Sequence, residues 1–382
     1  MLKQTLTLTD LTLFGVASIM GSGGFNLIGH GVRSGGSWWP MAATLAAALV
    51  MGSAWTYASA FARFKTNTSE SDILRTALGV EAEDIGAISI LAYSVANIAV
   101  ILVICSQLIL PTGTWVMQTG LTICLLAAMT VAALLGIDVD KAIISTITWG
   151  LLGTLLVACG FGLIHGPVPT LSAPTTRSFV HSLWMFFFVL IGFDALMKFV
   201  KEATDPADIP TAFYLSNGIS AFLTFGVAAA IASWIRLTPA TEGMAIESLF
   251  ALFFGPWFRT PFTWIIIAFL LLTTFVVFLA TTRYLFGLGE KGGPLAPFAA
   301  TEDNVPWASI LSVFSAAAGV SIINNVDTLV MITDFGFSVI GGLVAAAVCV
   351  ADWRDGLVGS ALVDGGVATG FVAMLLTGLV PA

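Results

Sequence analysis

The chain has 382 residues, of which 58% are hydrophobic and only 9% are charged, and its formal net charge is −8. Soluble domains typically carry about 25% charged residues, so this composition excludes an ordinary water-soluble protein. No basic cluster suggests a nucleic-acid partner, and no nucleophile–base, phosphate-loop or metal-ligand pattern supports an enzyme, a cofactor or a metal other than a coupling ion.

Eleven apolar runs are long enough to cross the hydrocarbon core of a bilayer, which takes about 20 residues. They predict an all-α membrane protein with about 11 transmembrane helices in one domain. The predicted spans are residues 8–28, 38–62, 86–110, 114–135, 143–165, 182–199, 211–235, 262–288, 307–323, 328–350 and 357–380.

The loops between these spans predict the orientation. When successive loops are assigned to alternate sides of the membrane, ten of the fourteen Lys and Arg residues fall on the side of the N-terminus. Because positively charged loops face the cytoplasm, we predict a cytoplasmic N-terminus. The expected location is the plasma membrane. We expect residues 65–84 to form a loop, and residues 241–254 to form a short amphipathic helix along the membrane interface.

The first span contains the run Gly21-Ser22-Gly23-Gly24 near its middle. Each glycine costs a helix roughly 1 kcal/mol relative to alanine. In lipid, a break in a helix survives only where the backbone lines a cavity or binds something. We therefore predict that this helix is discontinuous. Close packing through small residues is the alternative.

The sixth span is short, and Gly192 interrupts it two residues before Asp194. Glycine-interrupted spans at matching positions of two halves are typical of transporters built from inverted repeats. The halves would be repeat one, about 8–165, and repeat two, about 182–350, followed by an extra helix at about 357–380. Free N–H groups at a half-helix N-terminus suit a carboxylate, and free carbonyls suit an ammonium, so such a site fits a zwitterion.

Four separate stretches carry a resemblance to the amino acid–polyamine–organocation (APC) permeases, and the resemblance that rests on them spans most of the chain. They are Met20–Phe25, Tyr57–Gly79, Gly192–Pro210 and Thr282–Trp307. The first is similar to the family's Gly-Ser-Gly-Ile-Phe turn, and the third to its Gly-Phe-Asp…Glu-Glu…Asn-Pro…Ile-Pro sequence. The chain departs from the family where Gly24 replaces an isoleucine, Lys65 a proline and Lys201 a glutamate.

The resemblance implies a five-plus-five inverted-repeat (LeuT-like) fold with discontinuous helices 1 and 6. It also implies a secondary transporter that moves an amino acid or related small amine by alternating access, as an ion-coupled symporter or an antiporter. A largely apolar surround (Met20, Phe25, Phe188 and Leu190) favours a neutral solute. Carried over by position, the substrate-binding residues are Met20, Gly21, Ser22, Gly23, Gly24, Phe188, Val189, Ile191 and Gly192.

The resemblance also suggests how transport would be coupled, with either Na+ or H+ as the coupling ion. The candidates for a sodium site are Ala17, Met20, Thr273 and Thr274. The alternative is that both threonine hydroxyls bond back to their own helix. Asp194 and Glu202 are candidates for gating or charge recognition, and a capping role is favoured for Asp194. A non-transporting amino-acid sensor and a channel-like protein of the same fold remain alternatives.

Overall fold

The computed structural model describes residues 6–64, 70–136, 141–164, 166, 171–199, 203–238, 241–302 and 305–378. Within these ranges, only the backbone is described at positions 22, 141–144 and 198–199. The described residues form helices and turns but no β-strand, apart from isolated bridges such as that between Leu6 and Ala203. The predicted all-α class is therefore confirmed.

The α-helices of the described chain are numbered here in order. They are α1 (Leu8–Gly23), α2 (Leu27–Gly35), α3 (Trp39–Phe64), α4 (Glu70–Leu78), α5 (Val80–Ile109), α6 (Trp115–Leu134), α7 (Lys141–Gly162), α8 (Thr176–Leu190), α9 (Asp208–Trp234), α10 (Ala245–Phe254), α11 (Arg259–Glu290), α12 (Trp307–Ser321), α13 (Val326–Arg354) and α14 (Val358–Gly378). Short 3-10 helices join several of them, notably Phe193–Phe199 after α8.

Nine helical segments of the described chain are long and apolar enough to cross a membrane. They run from Leu27–Phe64, which contains α2 and α3, to Val358–Gly378, which is α14. Two shorter apolar helices, α1 and α12, coincide with the first and ninth predicted spans. These features are those of an all-α integral membrane protein, and the count of eleven crossings stays a prediction.

Helix α5 is the most deeply buried of the long helices. Its most apolar window has a mean hydropathy of 2.5 and is 78% buried inside the bundle. A helix that is apolar all round is covered either by lipid or by other helices, and α5 is covered by α4, α11 and α13. The polar residues Tyr93, Ser94, Asn97 and Ser106 of α5 are consequently buried against other protein elements.

The loop predicted at residues 65–84 is wrong for its second part, because Glu70–Leu78 form α4. Leu74 of this helix is buried against Gly86 of α5, where an added Cβ would lie 2.3 Å from the Leu74 side chain. Gly79 then turns the chain into α5 with a φ of +104°, a conformation that favours glycine. The outer face of α4 is largely polar, so the composition of this segment resembles that of a loop. Residues 65–69 lie outside the described part of the chain.

The stretch predicted as a short amphipathic helix forms a 3-10 turn, Glu242–Met244, followed by α10. This segment lies directly on α2, since a Cβ added at Gly29 would be 2.1 Å from the Glu242 carbonyl oxygen. The Asn26 side-chain amide also donates a hydrogen bond to the Gly243 carbonyl. The segment is thus attached to the second half of the first broken helix.

Candidate functional site: two interrupted helices beside a polar cavity

The first interruption, between α1 and α2, is a tight turn. Gly24 and Asn26 both keep right-handed helical dihedrals. The Gly24 N–H donates to the Met20 carbonyl at 2.9 Å, and the Asn26 N–H donates to the Gly23 carbonyl at 3.2 Å. The predicted discontinuity is present, but it lies at residues 24–26, and the backbone N–H groups of Gly24 and Asn26 are already bonded.

The glycines before this turn allow close packing. A Cβ on Gly21 would lie 2.4 Å from Thr273 of α11, and a Cβ on Gly23 would lie 2.9 Å from the Phe188 ring of α8. The packing alternative therefore accounts for Gly21 and Gly23, because a larger residue at either position would push a neighbouring helix away. The side chain of Ser22, predicted to bind substrate, lies outside the described residues.

The second interruption, after α8, is a true break. Ile191 is extended, with ψ 164°, and Gly192 has a φ of +118° that favours glycine. A Cβ on Gly192 would lie 2.9 Å from the Ser18 carbonyl oxygen, so this backbone rests directly on α1. The Ile191 N–H donates to the Phe187 carbonyl, and the carbonyls of the last helical turn, including Phe188 and Val189, are those that a helix end leaves without intrahelical donors.

A narrow cavity of about 50 Å³ lies next to this crossing. Such a space holds only a few water-sized molecules. It is bounded by α1, α5, α7 and α11 and by the segment that follows α8. Its polar lining residues are Ser18, Tyr93, Ser94, Asn97, Thr148, Asp194 and Thr273, and its apolar lining includes Phe14, Ile147, Phe269, Leu272, Val276 and Val277.

Asp194 is the acidic residue among the described lining residues of this cavity, and it is only 2% exposed. The Tyr93 hydroxyl of α5 donates a hydrogen bond to its Oδ2. Tyr93 is the sole hydrogen-bond partner of Asp194 within the described residues, so the carboxylate accepts from a side chain and not from the backbone N–H groups that a helix cap would use. The capping role favoured from the sequence is therefore not observed.

Asn97 lies one helical turn beyond Tyr93 on α5 and also faces the cavity. The residue is 9% exposed, and its side-chain Oδ1 has no hydrogen-bond partner among the described residues. An unsatisfied buried amide oxygen costs roughly 1–3 kcal/mol. Such an atom beside a cavity is a ready acceptor for a ligand that brings its own donor.

The two threonines predicted to hold sodium make the same kind of hydrogen bond but differ in their position relative to the cavity. Both hydroxyls bond back to their own helix, Thr273 to the Phe269 carbonyl at 3.0 Å and Thr274 to the Leu270 carbonyl at 2.7 Å. Thr273 lines the cavity together with Ala17, whereas Thr274 does not. A hydroxyl that donates in this way still has lone pairs for a cation, so the sodium site stays a prediction.

The cavity brings together some of the predicted site residues and leaves others in the packed core. Ala17, Gly192, Asp194 and Thr273 line it. Glu202 lies outside the described residues. The predicted residues that are fully buried elsewhere, each 4% exposed or less, are Met20, Phe188, Val189 and Ile191. Sequence reasoning missed Ser18, Tyr93 and Asn97, although the spacing of two polar residues by four within the apolar run of α5 is a signal that points to one helix face.

Helices α1–α2 and α11 run antiparallel past the cavity. The rings of Phe25 and Phe269 meet at 5.8 Å, and Gly21 faces Thr273, so ascending numbers in one helix pair with descending numbers in the other. The C-terminal ends of α2 and α11 therefore lie on opposite sides of the cavity, and charged contacts are found near both ends.

Near the end of α2, Glu242 accepts a charged hydrogen bond from Arg33, and its other oxygen lies 3.6 Å from His30 Nδ1. Just after α11, Lys291 Nζ contacts Asp72 Oδ1 at 2.6 Å and Glu83 Oε1 at 2.8 Å. Burial acts to lower the pKa of Lys291, but its hydrogen bonds to Asp72 and Glu83 outweigh that effect and raise the pKa. Charged contacts thus tie the elements together on both sides of the cavity.

The chain matches no model of a known protein family, and no curated protein matches it in sequence. Within the described residues, no three His, Cys, Asp or Glu side chains are grouped so as to hold a metal ion. The crossing of the two interrupted helices and the cavity beside it are the features of the described chain that point to a function.

Proposed function

We propose that the protein is a secondary transporter that moves an amino acid or related small amine across a cell membrane by alternating access. The observation that carries the proposal is the contact of Gly192 with the Ser18 backbone, at which the break after α8 meets α1 beside a buried carboxylate. In a bilayer, irregular backbone is tolerated only where protein or a water-filled cavity surrounds it. A helix break beside a cavity that contains a buried carboxylate is typical of a transport site.

The order of the elements supports the five-plus-five repeat. The first half consists of an interrupted helix (α1–α2), a long helix (α3), a short helix (α4) and three further helices (α5–α7). The second half has the same order, with α8 and its 3-10 continuation, α9, the short α10 and then α11–α13. The longest helix of each half has the same place in this order, directly after the short helix: it is α5, with 30 residues, in the first half and α11, with 32 residues, in the second. Helix α14 is the extra element, and the proposal keeps eleven crossings with a cytoplasmic N-terminus.

Alternating access requires that the cavity open to one side at a time. On the α2 side, opening would separate Glu242 from Arg33 and His30. On the other side, opening would separate Lys291 from Asp72 and Glu83. Each set of contacts joins segments far apart in the chain, so breaking one set while keeping the other provides the two states that transport needs.

The test is uptake into proteoliposomes of a panel of labelled amino acids and small amines, with and without sodium and proton gradients. Saturable uptake by the natural chain is expected. Gly192→Ala should reduce it at least tenfold, because the new Cβ would meet the Ser18 carbonyl and strain the backbone. Gly120→Ala is the matched control, since a Cβ at Gly120 meets nothing within 4 Å.

Each other outcome contradicts the proposal in its own way. Single-channel currents across a bilayer would indicate a channel. Ligand-dependent thermal stabilisation without flux would indicate a sensor. If Gly192→Ala and the Gly120→Ala control showed equal uptake, the break after α8 would not be part of the transport site.

A further inference from the structure

The cavity contains the acidic side chain of Asp194, and none of the lining residues that the structure describes is a lysine, arginine or histidine. The hydrogen bond from Tyr93 satisfies one carboxylate oxygen but brings no positive charge. A buried carboxylate without a cationic partner is costly, so a ligand that supplies the positive charge binds with the advantage of relieving that cost.

The cavity walls favour an organic cation over an inorganic one. The rings of Phe14 and Phe269 and the aliphatic side chain of Ile147 line the cavity. Aromatic faces attract organic ammonium groups, and apolar walls cannot replace the shell of oxygens that a small metal cation keeps. The free Oδ1 of Asn97 adds a second acceptor for an ammonium N–H.

A carboxylate on the same ligand would find no positive partner. The N–H groups of Gly24 and Asn26, at the turn of the first broken helix, are already bonded to backbone carbonyls. The glycines before that turn face Thr273 and the Phe188 ring at packing distance, which leaves no room for a carboxylate between them. The prediction of a neutral solute was based on apolar residues such as Met20 and Phe188, and these two residues do not line the cavity.

We propose that this site selects small monocationic amines that lack a carboxylate, with Asp194 as the charge partner and Asn97 as the second acceptor. The inference rests on the proposed transport function only for the passage of the ligand, not for its binding. It sharpens the substrate from amino-acid-like amines in general to organic cations, and it assigns a binding role to Tyr93 as the residue that positions Asp194.

The test compares three ligands of equal size on the purified full chain, by isothermal titration and thermal shift. Alaninamide carries only the ammonium, alanine carries both charges, and lactamide carries neither. At about pH 6.5, below the α-amino pKa of about 8, the amine stays protonated. Alaninamide should bind about 100-fold more tightly than either alanine or lactamide, since leaving one member of a buried charge pair unpaired costs a few kcal/mol.

Three variants locate the effect. Asp194→Asn should bring the affinities for alaninamide and lactamide within about threefold of each other, because it removes the charge and keeps the shape. Asn97→Leu should weaken alaninamide about tenfold, the loss expected for one hydrogen bond to a charged group. Lys198→Met should leave the preference for alaninamide intact. Circular dichroism and gel filtration establish that each variant is folded.

The outcomes separate this inference from transport itself. Equal binding of alanine and alaninamide, a preference that survives Asp194→Asn, or stabilisation by sodium but not by alaninamide would each overturn the selection of carboxylate-free amines. A preference that appears only in Lys198→Met would also overturn it, because Lys198 would then be the natural partner of Asp194. Alaninamide binding without uptake into proteoliposomes would support the ligand class and contradict the transporter.

Discussion

Gly21 is the position at which the two interpretations of the glycine run make opposite predictions for stability. If the run exists to unwind the helix, alanine should be tolerated or should restore helix and add about 1 kcal/mol. In the structure, however, a Cβ at Gly21 would lie 2.4, 2.5 and 2.8 Å from the Cγ2, Oγ1 and Cβ of Thr273. These contacts are too short for any of the three atoms, and Thr273 is a stiff, β-branched residue inside α11.

The magnitude follows from two opposing terms. Overpacking a filled site costs about 1–3 kcal/mol, and the upper end applies because three atoms are involved. The better helix propensity of alanine returns about 1 kcal/mol. We expect Gly21→Ala to destabilise the protein by about 2 kcal/mol, which lowers the melting temperature by a few degrees.

A double-mutant cycle with Thr273→Ala isolates the contact. That change removes two of the three close atoms, so the double variant should recover about half of the loss caused by Gly21→Ala alone. The assay is thermal unfolding in detergent, followed by tryptophan fluorescence. Gly120→Ala is the control, because its Cβ meets nothing. The packing argument fails if Gly21→Ala and Gly120→Ala raise the melting temperature equally.

Three further predictions concern the polar groups. Tyr93→Phe should cost about 2 kcal/mol of stability, measured by thermal unfolding, because the buried carboxyl of Asp194 loses its hydrogen-bond donor; an equal cost in an Asp194→Asn background would contradict this. Burial raises the pKa of Glu247 to about 7, so its contribution to stability is complete below its unfolded pKa of about 4.3 and is lost as the pH rises to about 7. Glu247→Gln should flatten the melting-temperature profile over that range, and an unchanged slope would refute it. Arg33→Gln should speed hydrogen exchange in α2 about tenfold by freeing Glu242, and unaltered exchange would show that this contact does not hold the helix.

The sequence predicted the break after α8 well because the signal there is local. Gly192 follows a short apolar run and precedes Asp194 within two residues, and both features are visible without knowing any distant partner. The local sequence around Gly21, in contrast, does not show whether the glycines break the helix or pack it against a neighbour. A glycine lowers helix propensity whether it marks a break or a close contact, and the contact partners, Thr273 and Phe188, are distant in the chain.

The cavity itself was only partly predictable for a related reason. Tyr93 and Asn97 lie four residues apart in a predominantly apolar run, so their shared face is readable from their spacing. Which element meets that face is decided by the packing of α5 against α1 and α11, for which the local sequence contains no signal. The resemblance to a permease family supplied the first and sixth spans as site elements but not this contribution from the third.

The two interruptions differ in what they can do mechanically. At the turn between α1 and α2, the backbone stays hydrogen-bonded, and Gly21 and Gly23 fit the helix closely against α11 and α8. At Gly192, the chain leaves the helix entirely and touches the Ser18 carbonyl of α1. Asp194 follows two residues later, so any movement of this segment relative to α1 also moves the carboxylate relative to Tyr93 on α5. In the binding role proposed for Asp194, ligand binding at the carboxylate and displacement of the backbone at Gly192 would be coupled by a connection of two residues.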